Sequence, residues 1–196
     1  MKRELTQQFL LECFNYDPES GVLSWKDVRP EYHFKNSLGS AIWHGKFSGK
    51  AAGSICRSGL GNIDYLFINV SHKGVVHRTT AHRIIWCMTH GAYPDMIDHI
   101  DGEGLNNTPG NLRECTKIIN GQNQSMKKNN TSGVTGVFFH QKTPGSTKNW
   151  HAKIHVNGNN VSLGSFYDFD MAAQVRLDAE KKYNFTDRHG KSAVGG

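Results

Sequence analysis

The residues best suited to chemistry lie together in one stretch, residues 98–123. It contains, in order, an acid–histidine pair, an asparagine that opens a second extended stretch, and two further asparagines: Asp98, His99, Asn111, Asn120 and Asn123. The intervening residues 101–110 are rich in Asp, Asn and Gly and predict a turn, and Thr116 is a suitable N-cap for a short helix. This order predicts strand, loop, strand and helix. Such a hairpin crossed by a helix can hold one divalent metal ion.

The ordered set resembles the HNH family of ββα-metal nucleases. The family pattern is an acid–histidine pair, an Asn-Leu-Arg segment and a His or Asn on the helix, matched here by Asp98-His99, Asn111 and Asn120. The resemblance implies that His99 is the general base that takes a proton from water. It also implies that Asp98 and Asn120 ligate the metal, and that Asn111 holds the hairpin loop and orients His99.

The chemistry of phosphodiester hydrolysis agrees with these residue types. A histidine titrates at about 6.5 and can make a nucleophile from water near neutral pH. A cation neutralises charge that develops on the leaving oxygen, and oxygen ligands favour Mg²⁺ or Mn²⁺ over Zn²⁺. Adjacent strand residues point to opposite faces, so a bulge or strong twist is expected if Asp98 and His99 serve one phosphate.

Two other interpretations compete with a nuclease. Asp, His, Asn and Gly are common turn formers, so an isolated Asp-His pair most often belongs to an ordinary loop. The chain is also interpretable as a DNA-binding transcriptional regulator whose HNH segment is a catalytically dead scaffold. The intact set of four motif residues favours the nuclease over both.

The composition limits which other classes of protein are possible. The chain has 196 residues, 37% hydrophobic content and 21 glycines, which predicts modest cores joined by many turns. It contains no run of eighteen apolar residues, and its first residues lack the apolar core of a signal peptide, so a soluble, cytoplasmic protein is expected. The four cysteines form no C-x-x-C pair, so we expect free, mostly buried thiols rather than structural zinc or disulfides.

The excess positive charge lies in the C-terminal part. Residues 1–116 contain twelve Lys/Arg and twelve Asp/Glu, whereas residues 117–196 contain eleven and five. No acidic residue occurs between Asn120 and Tyr167. A charged run is usually a solvated face, but beside a candidate nuclease an acid-free stretch predicts a phosphate-facing surface that includes Lys127 and Lys128.

The N-terminal part predicts a helix over residues 4–15, a strand at 22–25 and an irregular segment over 27–62. Segments 65–70 and 75–80 predict a hairpin, followed by a helix that starts at Ala81 and ends at Gly91. The opening YDPESGVLSWK and the segments AHRIIW and YPDMIDHIDG resemble free-standing phage HNH endonucleases. His82 and Arg83 fit phosphate contacts and structural anchoring equally well.

Segments SGVTGVFFH, KNWHAKIHV, VSLGSF and MAAQVRLDAEKKY resemble the Apetala-two/ethylene-response-factor DNA-binding domain over residues 132–185. The resemblance implies a three-stranded antiparallel sheet whose face enters the DNA major groove. Several family arginines are Phe or His here, which implies fewer bidentate guanine contacts. By position, the resemblance implies that the DNA-contacting residues of this domain are Phe138, His140, Trp150, Lys153, His155 and Ser162, while Phe138 and Trp150 are also interpretable as ordinary core. The other candidate DNA-binding residues of the chain are Arg83, Arg113, Lys127 and Lys128.

The sequence therefore predicts an α+β protein with four parts. These are an HNH module over 1–123 with its ββα core at 94–123, a linker over 124–131, the DNA-binding domain over 132–185 and a disordered tail over 186–196. The predicted function is metal-dependent, homing-like cleavage of double-stranded DNA in a phage-infected bacterial cell. Magnesium or manganese is the expected cofactor, and neither a membrane nor a small-molecule cofactor is expected. A fragment that lacks residues 132–196 is expected to keep the catalytic fold.

Overall fold

The computed structural model describes residues 5–57, 63–127, 129–140, 145, 147 and 149–191. Within these residues the chain forms helices and several small antiparallel sheets, which fits the predicted α+β class. It divides into two compact units, Met1–Glu114 and Cys115–Gly196, called the first and the second unit below. This division falls before the helix of the HNH segment, whereas the sequence-based boundary falls after it.

The first unit begins with helix α1 (Gln7–Cys13) and the hairpin of β1 (Phe14–Asp17) and β2 (Val22–Trp25). The N-cap is Thr6, whose hydroxyl accepts the N–H of Phe9 at 3.3 Å. The helix is shorter than the predicted 4–15 because Phe14 already pairs with Trp25 in the hairpin.

The segment predicted to be irregular contains a helix, so that prediction is wrong. After a 3₁₀ turn at Glu31–His33, helix α2 covers Ser37–Phe47 and strand β3 covers Ser54–Arg57. The side chain of Asn36 caps α2 by accepting the N–H of Gly39 at 2.9 Å. Only Ser40 and Trp43 of this helix are buried, so its sequence carries no continuous apolar stripe that would reveal it.

The centre of the first unit is a three-stranded sheet in the order β3-β4-β5, with β4 at Asp64–His72 and β5 at Val75–Thr80. Helix α3 (Ala81–His90) follows at once and ends at Gly91, which has the left-handed φ of 83° expected of a C-terminal glycine. Ile68 and Val70 of β4 are fully buried and share one hydrophobic core with α1 and α3. Strands β6 (Ile97–His99) and β7 (Leu112–Glu114) form a separate ribbon.

The second unit begins with helix α4 (Lys117–Gln122) and continues with an antiparallel sheet in the order β10-β9-β8. Its strands are β8 (Val137–Phe139), β9 (Trp150–Val156) and β10 (Asn159–Phe166), and helix α5 (Phe169–Lys182) packs on them. The Asn157-Gly158 turn has positive φ angles of 50° and 80°, as a tight hairpin requires. Asp168 caps α5 by accepting the N–H of Met171 at 2.8 Å.

The predicted linker and the predicted disordered tail contact each other, which corrects the expectation of disorder for residues 186–191. Arg188 donates hydrogen bonds to the Asn123 carbonyl at 2.7 Å and to the Ser125 hydroxyl at 3.0 Å. The N–H of Gly190 donates to the Gln124 carbonyl at 2.9 Å. Composition suggested a free tail, but these polar groups hold its first half in place. Residues 192–196 lie outside the described part.

The four cysteines are free, and three of them, Cys13, Cys87 and Cys115, are buried as predicted. In the described part of the chain, no helix is long and apolar enough to cross a membrane.

Candidate active site

Asp98 and His99 lie on β6, which pairs with β7 in a regular antiparallel register. Asp98 is opposite Arg113, and His99 is opposite Leu112. The pairing contains no bulge, so of the two expected features only a strong twist would let both side chains serve one phosphate. The acid and the histidine therefore have different neighbours.

The carboxylate of Asp98 is buried and forms an ion pair with Arg113. Arg113 donates to Asp98 Oδ2 from Nε at 3.0 Å and from Nη2 at 2.7 Å. This ion pair gives Arg113 a partner within the chain, and its predicted contact with DNA stays a prediction.

His99 is held by an asparagine that the sequence did not single out. Its Nε2 lies 3.2 Å from Asn107 Oδ1, and the amide nitrogen of Asn107 donates to the Leu105 carbonyl at 3.2 Å. Because the Asn107 oxygen must accept, Nε2 of His99 carries the proton and Nδ1 is the basic nitrogen. Burial lowers the pKa of His99, so the ring is neutral near pH 7 and can accept a proton.

Asn111 forms several hydrogen bonds within the loop between the two strands. Its amide donates to Asp101 Oδ1 and to the Asn106 carbonyl, both at 2.8 Å, and its Oδ1 accepts the N–H of Asp101 at 2.9 Å. These bonds close the loop that carries Asn107. The direct contact with His99 is made by Asn107, and the orienting role of Asn111 stays a prediction.

The N-terminal hairpin supports the same loop from outside. The hydroxyl of Tyr16 donates to the Asn107 carbonyl at 2.9 Å. A Cβ on Gly21 would lie 2.8 Å from the Thr108 nitrogen and 2.9 Å from the Asn107 carbonyl carbon, so only glycine fits there. The β1–β2 hairpin therefore fixes the backbone of the residue that binds the candidate base.

A second histidine, His82, lies beside His99. The ring centroids are 4.9 Å apart with perpendicular planes, and Tyr65 lies within 5.8 Å of both rings. The hydroxyl of Thr80 lies 3.1 Å from His82 Nε2. Burial lowers the pKa of His82 to about 3, so it adds no positive charge next to the base.

The neighbouring Arg83 is used as a structural anchor. Its Nη1 donates to the Pro94 carbonyl at 3.3 Å, and its guanidinium lies 5.2 Å from the centroid of the Tyr93 ring. These contacts join α3 to the segment that leads into β6. The structure therefore shows contacts for the anchoring role of Arg83, whereas its contact with DNA stays a prediction.

The second predicted metal ligand, Asn120, lies on α4 in the second unit. Thr116 caps this helix, and its hydroxyl accepts the N–H of Ile119 at 3.3 Å. Across the described residues, no group of three or more His, Cys, Asp or Glu is placed to hold a metal ion. A carboxylate and an amide oxygen, the donors that Asp98 and Asn120 would offer, suit Mg²⁺, and their part in a metal site stays a prediction.

The C-terminal sheet has one face against α5 and one open face. Most of the predicted contact residues lie on the open face, among them Phe138, Lys153, His155 and Ser162, and the exposed His140 directly follows β8. Trp150 is an exception, because it packs edge-on against Phe169 of α5 at 5.1 Å, and it therefore belongs to the core.

Two features of this surface escaped the sequence analysis. Asn160, opposite His155 in the strand register, also lies on the open face. His151 lies there too but is buried, because it stacks on Phe138 at 5.5 Å and bonds the His140 carbonyl and the Ser165 hydroxyl, both at 2.8 Å. Strand register reveals both positions. Lys127 is exposed, and Lys128 lies outside the described residues.

Comparison with known proteins identifies the class of this site. The model of the HNH endonuclease family matches residues 79–122, which include α3, the β6–β7 hairpin and α4. Protein 3.8 of Escherichia phage T7 is 36% identical over 97 residues, a match that covers 48% of this chain and 77% of the phage protein. The chain belongs to the HNH endonuclease family. No solved structure matches it significantly.

The family match ends at the α4 helix and does not reach the C-terminal sheet. The Apetala-two-like character of residues 132–185 therefore stays a prediction, although the sheet of three antiparallel strands and its helix are present. As an HNH protein, the chain has Asp98, His99, Asn111 and Asn120 all within the matched region.

Proposed function

We propose that this protein is a metal-dependent endonuclease that hydrolyses phosphodiester bonds in double-stranded DNA. The observation that carries the proposal is the buried hydrogen bond from His99 to Asn107, which leaves Nδ1 as the basic nitrogen on a neutral ring. A general base needs a fixed orientation and the correct protonation state. The loop bonds of Asn111 and the contact from Tyr16 support both.

In this proposal each residue has one task. His99 takes the proton from the attacking water, Asn107 holds its ring, and Asn111 keeps the loop closed. Asp98 and Asn120 would hold Mg²⁺ or Mn²⁺, and the bound ion would supply positive charge to neutralise the scissile phosphate. Arg113 fixes the Asp98 carboxylate and reduces its negative charge beside the DNA.

The second unit supplies affinity for duplex DNA. Its net charge accounts for the whole excess of the chain, and Lys153 and His155 are exposed on the open face of the sheet. Contacts of this kind raise the local concentration of the scissile strand at the active site. A targeted, homing-like cleavage would follow, with nick sites clustered on the DNA that flanks the gene of this protein.

The alternative, a DNA-binding regulator with an inactive HNH scaffold, is favoured by one observation. The carboxylate of Asp98 is already neutralised by Arg113, which is how a purely structural carboxylate is often used. The two functions differ in a single measurable property, which is cleavage.

Nicking of supercoiled plasmid DNA with Mg²⁺ separates the two functions. We expect the parent protein to nick and EDTA to stop it. His99→Ala should lower the rate on the order of 10²–10⁴-fold while DNA binding is retained. His90→Ala, a change at an exposed histidine of the same unit, is the matched control. A parent that binds DNA but never nicks it would establish the regulator, and an active His99→Ala variant would refute the base assignment.

A further inference from the structure

The outer face of the β3–β4–β5 sheet contains an open groove of about 440 Å³. Its principal lining residues are Arg57, Tyr65, Phe67, Arg78, Thr80 and His82. All of them belong to the first unit. The size is within the range of sites that bind small organic groups.

The groove lies on the side of the sheet that turns away from the core. In β4, Ile68 and Val70 are fully buried, whereas Tyr65 and Phe67 alternate with them and remain half-exposed. The solvent face of a two-sided sheet is normally polar. Tyr65 packs there beside His82, His99 and the backbone of Gly104, and Phe67 is the aromatic residue of this face that has an arginine beside it.

The cations of the groove are placed next to these rings. The guanidinium carbon of Arg78 lies 4.6 Å from the centroid of the Phe67 ring. Arg57 is exposed and pairs with Asp64 at 3.0 Å, and an exposed pair of this kind contributes little to stability. Arg57 can therefore exchange its carboxylate for a phosphate at small cost.

One end of the groove reaches the candidate active site. Tyr65 and His82 line the groove, and their rings lie 5.8 Å and 4.9 Å from the ring of His99. Of the described side chains that line the groove, none is a carboxylate. The surface is thus cationic and aromatic, and it leads directly to the base.

We propose that this groove binds one nucleotide of the DNA strand that adjoins the scissile phosphate. Arg78 and Arg57 hold the phosphate, and the sugar, or the base where it is unpaired, lies against Phe67 and Tyr65. Aromatic rings beside arginines are the usual means of holding single-stranded nucleic acid, because every base has a face that stacks and every phosphate accepts an arginine. The assignment of the scissile phosphate rests on the proposed function, and the binding of a nucleotide by the groove does not.

The first test is photocrosslinking with the full-length His99→Ala protein, which leaves the DNA intact. The probes are a short oligothymidylate that carries 5-iodouracil and a duplex with the same modification. We expect crosslinked peptides from residues 63–80, with Tyr65 or Phe67 as the modified residue. Phe67→Leu should lose most of this crosslink. Phe139→Leu, a change at an exposed aromatic residue of the second unit, should leave it unchanged.

The second test is the salt dependence of binding of the same oligothymidylate. Arg78→Gln should lower the log–log slope by about one, the loss expected for one phosphate contact. Lys46→Gln removes an equal charge from an exposed position on α2 and should leave the slope unchanged. Thermal unfolding of each variant verifies that the fold is retained.

The outcomes separate this proposal from the proposed function. Crosslinks confined to the second unit, or an Arg78→Gln slope equal to that of the parent, would refute the groove even if the parent nicks plasmid DNA. Crosslinks in residues 63–80 of a protein that never nicks DNA would support the groove and refute the endonuclease.

Discussion

The hydrogen bond between Asn107 and His99 provides the sharpest test of the active-site geometry. Asn107→Ala removes the acceptor of the Nε2 proton and leaves the loop bonds of Asn111 in place. The histidine can then rotate or place its proton on the other nitrogen. Both changes reduce the fraction of molecules in which Nδ1 is the basic nitrogen and keeps its present orientation.

The size of the effect follows from the burial of both partners. Asn107 is 2% exposed and His99 is 5% exposed, so water does not readily replace the lost acceptor. An unsatisfied buried donor costs about 1–3 kcal/mol. If the loss of Asn107 destabilises the reactive orientation of the His99 ring by this amount, the nicking rate falls about 5- to 150-fold, since about 1.4 kcal/mol corresponds to a factor of ten.

The assay is single-turnover nicking of plasmid DNA at saturating Mg²⁺, with the DNA affinity measured separately. The rate of Asn107→Ala should fall while its affinity stays close to that of the parent, because Asn107 is buried. Asn107→Asp keeps an oxygen acceptor and should recover part of the rate. Asn15→Ala, at an exposed asparagine, is the control. If Asn107→Ala nicks as fast as Asn15→Ala, the hydrogen bond has no role in catalysis.

Further predictions concern the metal, the loop, the pH and the open sheet face. Asp98→Ala and Asn120→Ala should each need more Mg²⁺ for the same nicking rate; unchanged Mg²⁺ titrations would remove them from the ligand set. Tyr16→Phe loses the 2.9 Å bond to the Asn107 carbonyl and should slow nicking about 2- to 10-fold, the effect of one net hydrogen bond; a rate equal to the parent's would separate the hairpin from catalysis. His82 has a folded pKa of about 3, so below pH 6.5 the unfolded chain binds a proton that the folded chain does not. As the pH is lowered from 6.5 to about 3, the contribution of His82 should therefore reduce the free energy of unfolding by about 1.4 kcal/mol per pH unit. Urea denaturation at a series of pH values measures this free energy. His82→Gln should remove that slope, and an identical slope in both proteins would contradict the shift. Lys153→Ala should lower the salt slope of duplex binding by about one, and no change would mean that the open face does not contact phosphate.

Much of the local structure could be predicted because it depends on short-range chemistry. Thr116, Asp168 and Gly91 begin or end helices where their side chains or backbone angles require it. Asn157-Gly158 forms the expected turn between two strands. These signals act over three or four residues, so one sequence suffices to recognise them.

The missed features depend on contacts between distant parts of the chain. Helix α2 has few buried residues and no periodic pattern, so only its packing through Trp43 explains it. In the sequence Asn107 is one of several turn-forming residues, and only the fold shows that its amide oxygen contacts His99. Trp150 was included among the DNA contacts on the family resemblance, and the sequence alone does not tell that α5 covers its face of the sheet.

The hydrogen bonds that fix the end of α4 bear on the expectation that residues 132–196 serve DNA binding alone. This helix has six residues, none of them buried, and so short a helix is not stable alone. Its end is fixed by residues of the C-terminal segment: Gln122 donates to the Tyr183 carbonyl at 2.9 Å, and Thr186 donates to Asn123 Oδ1 at 2.8 Å. A fragment that ends at residue 131 would lose these partners, so the sequence-based expectation that it keeps the catalytic fold fails for α4. The segment after the sheet therefore supports the helix that carries Asn120, and substitutions on the open face, rather than truncation, are the way to separate DNA binding from catalysis.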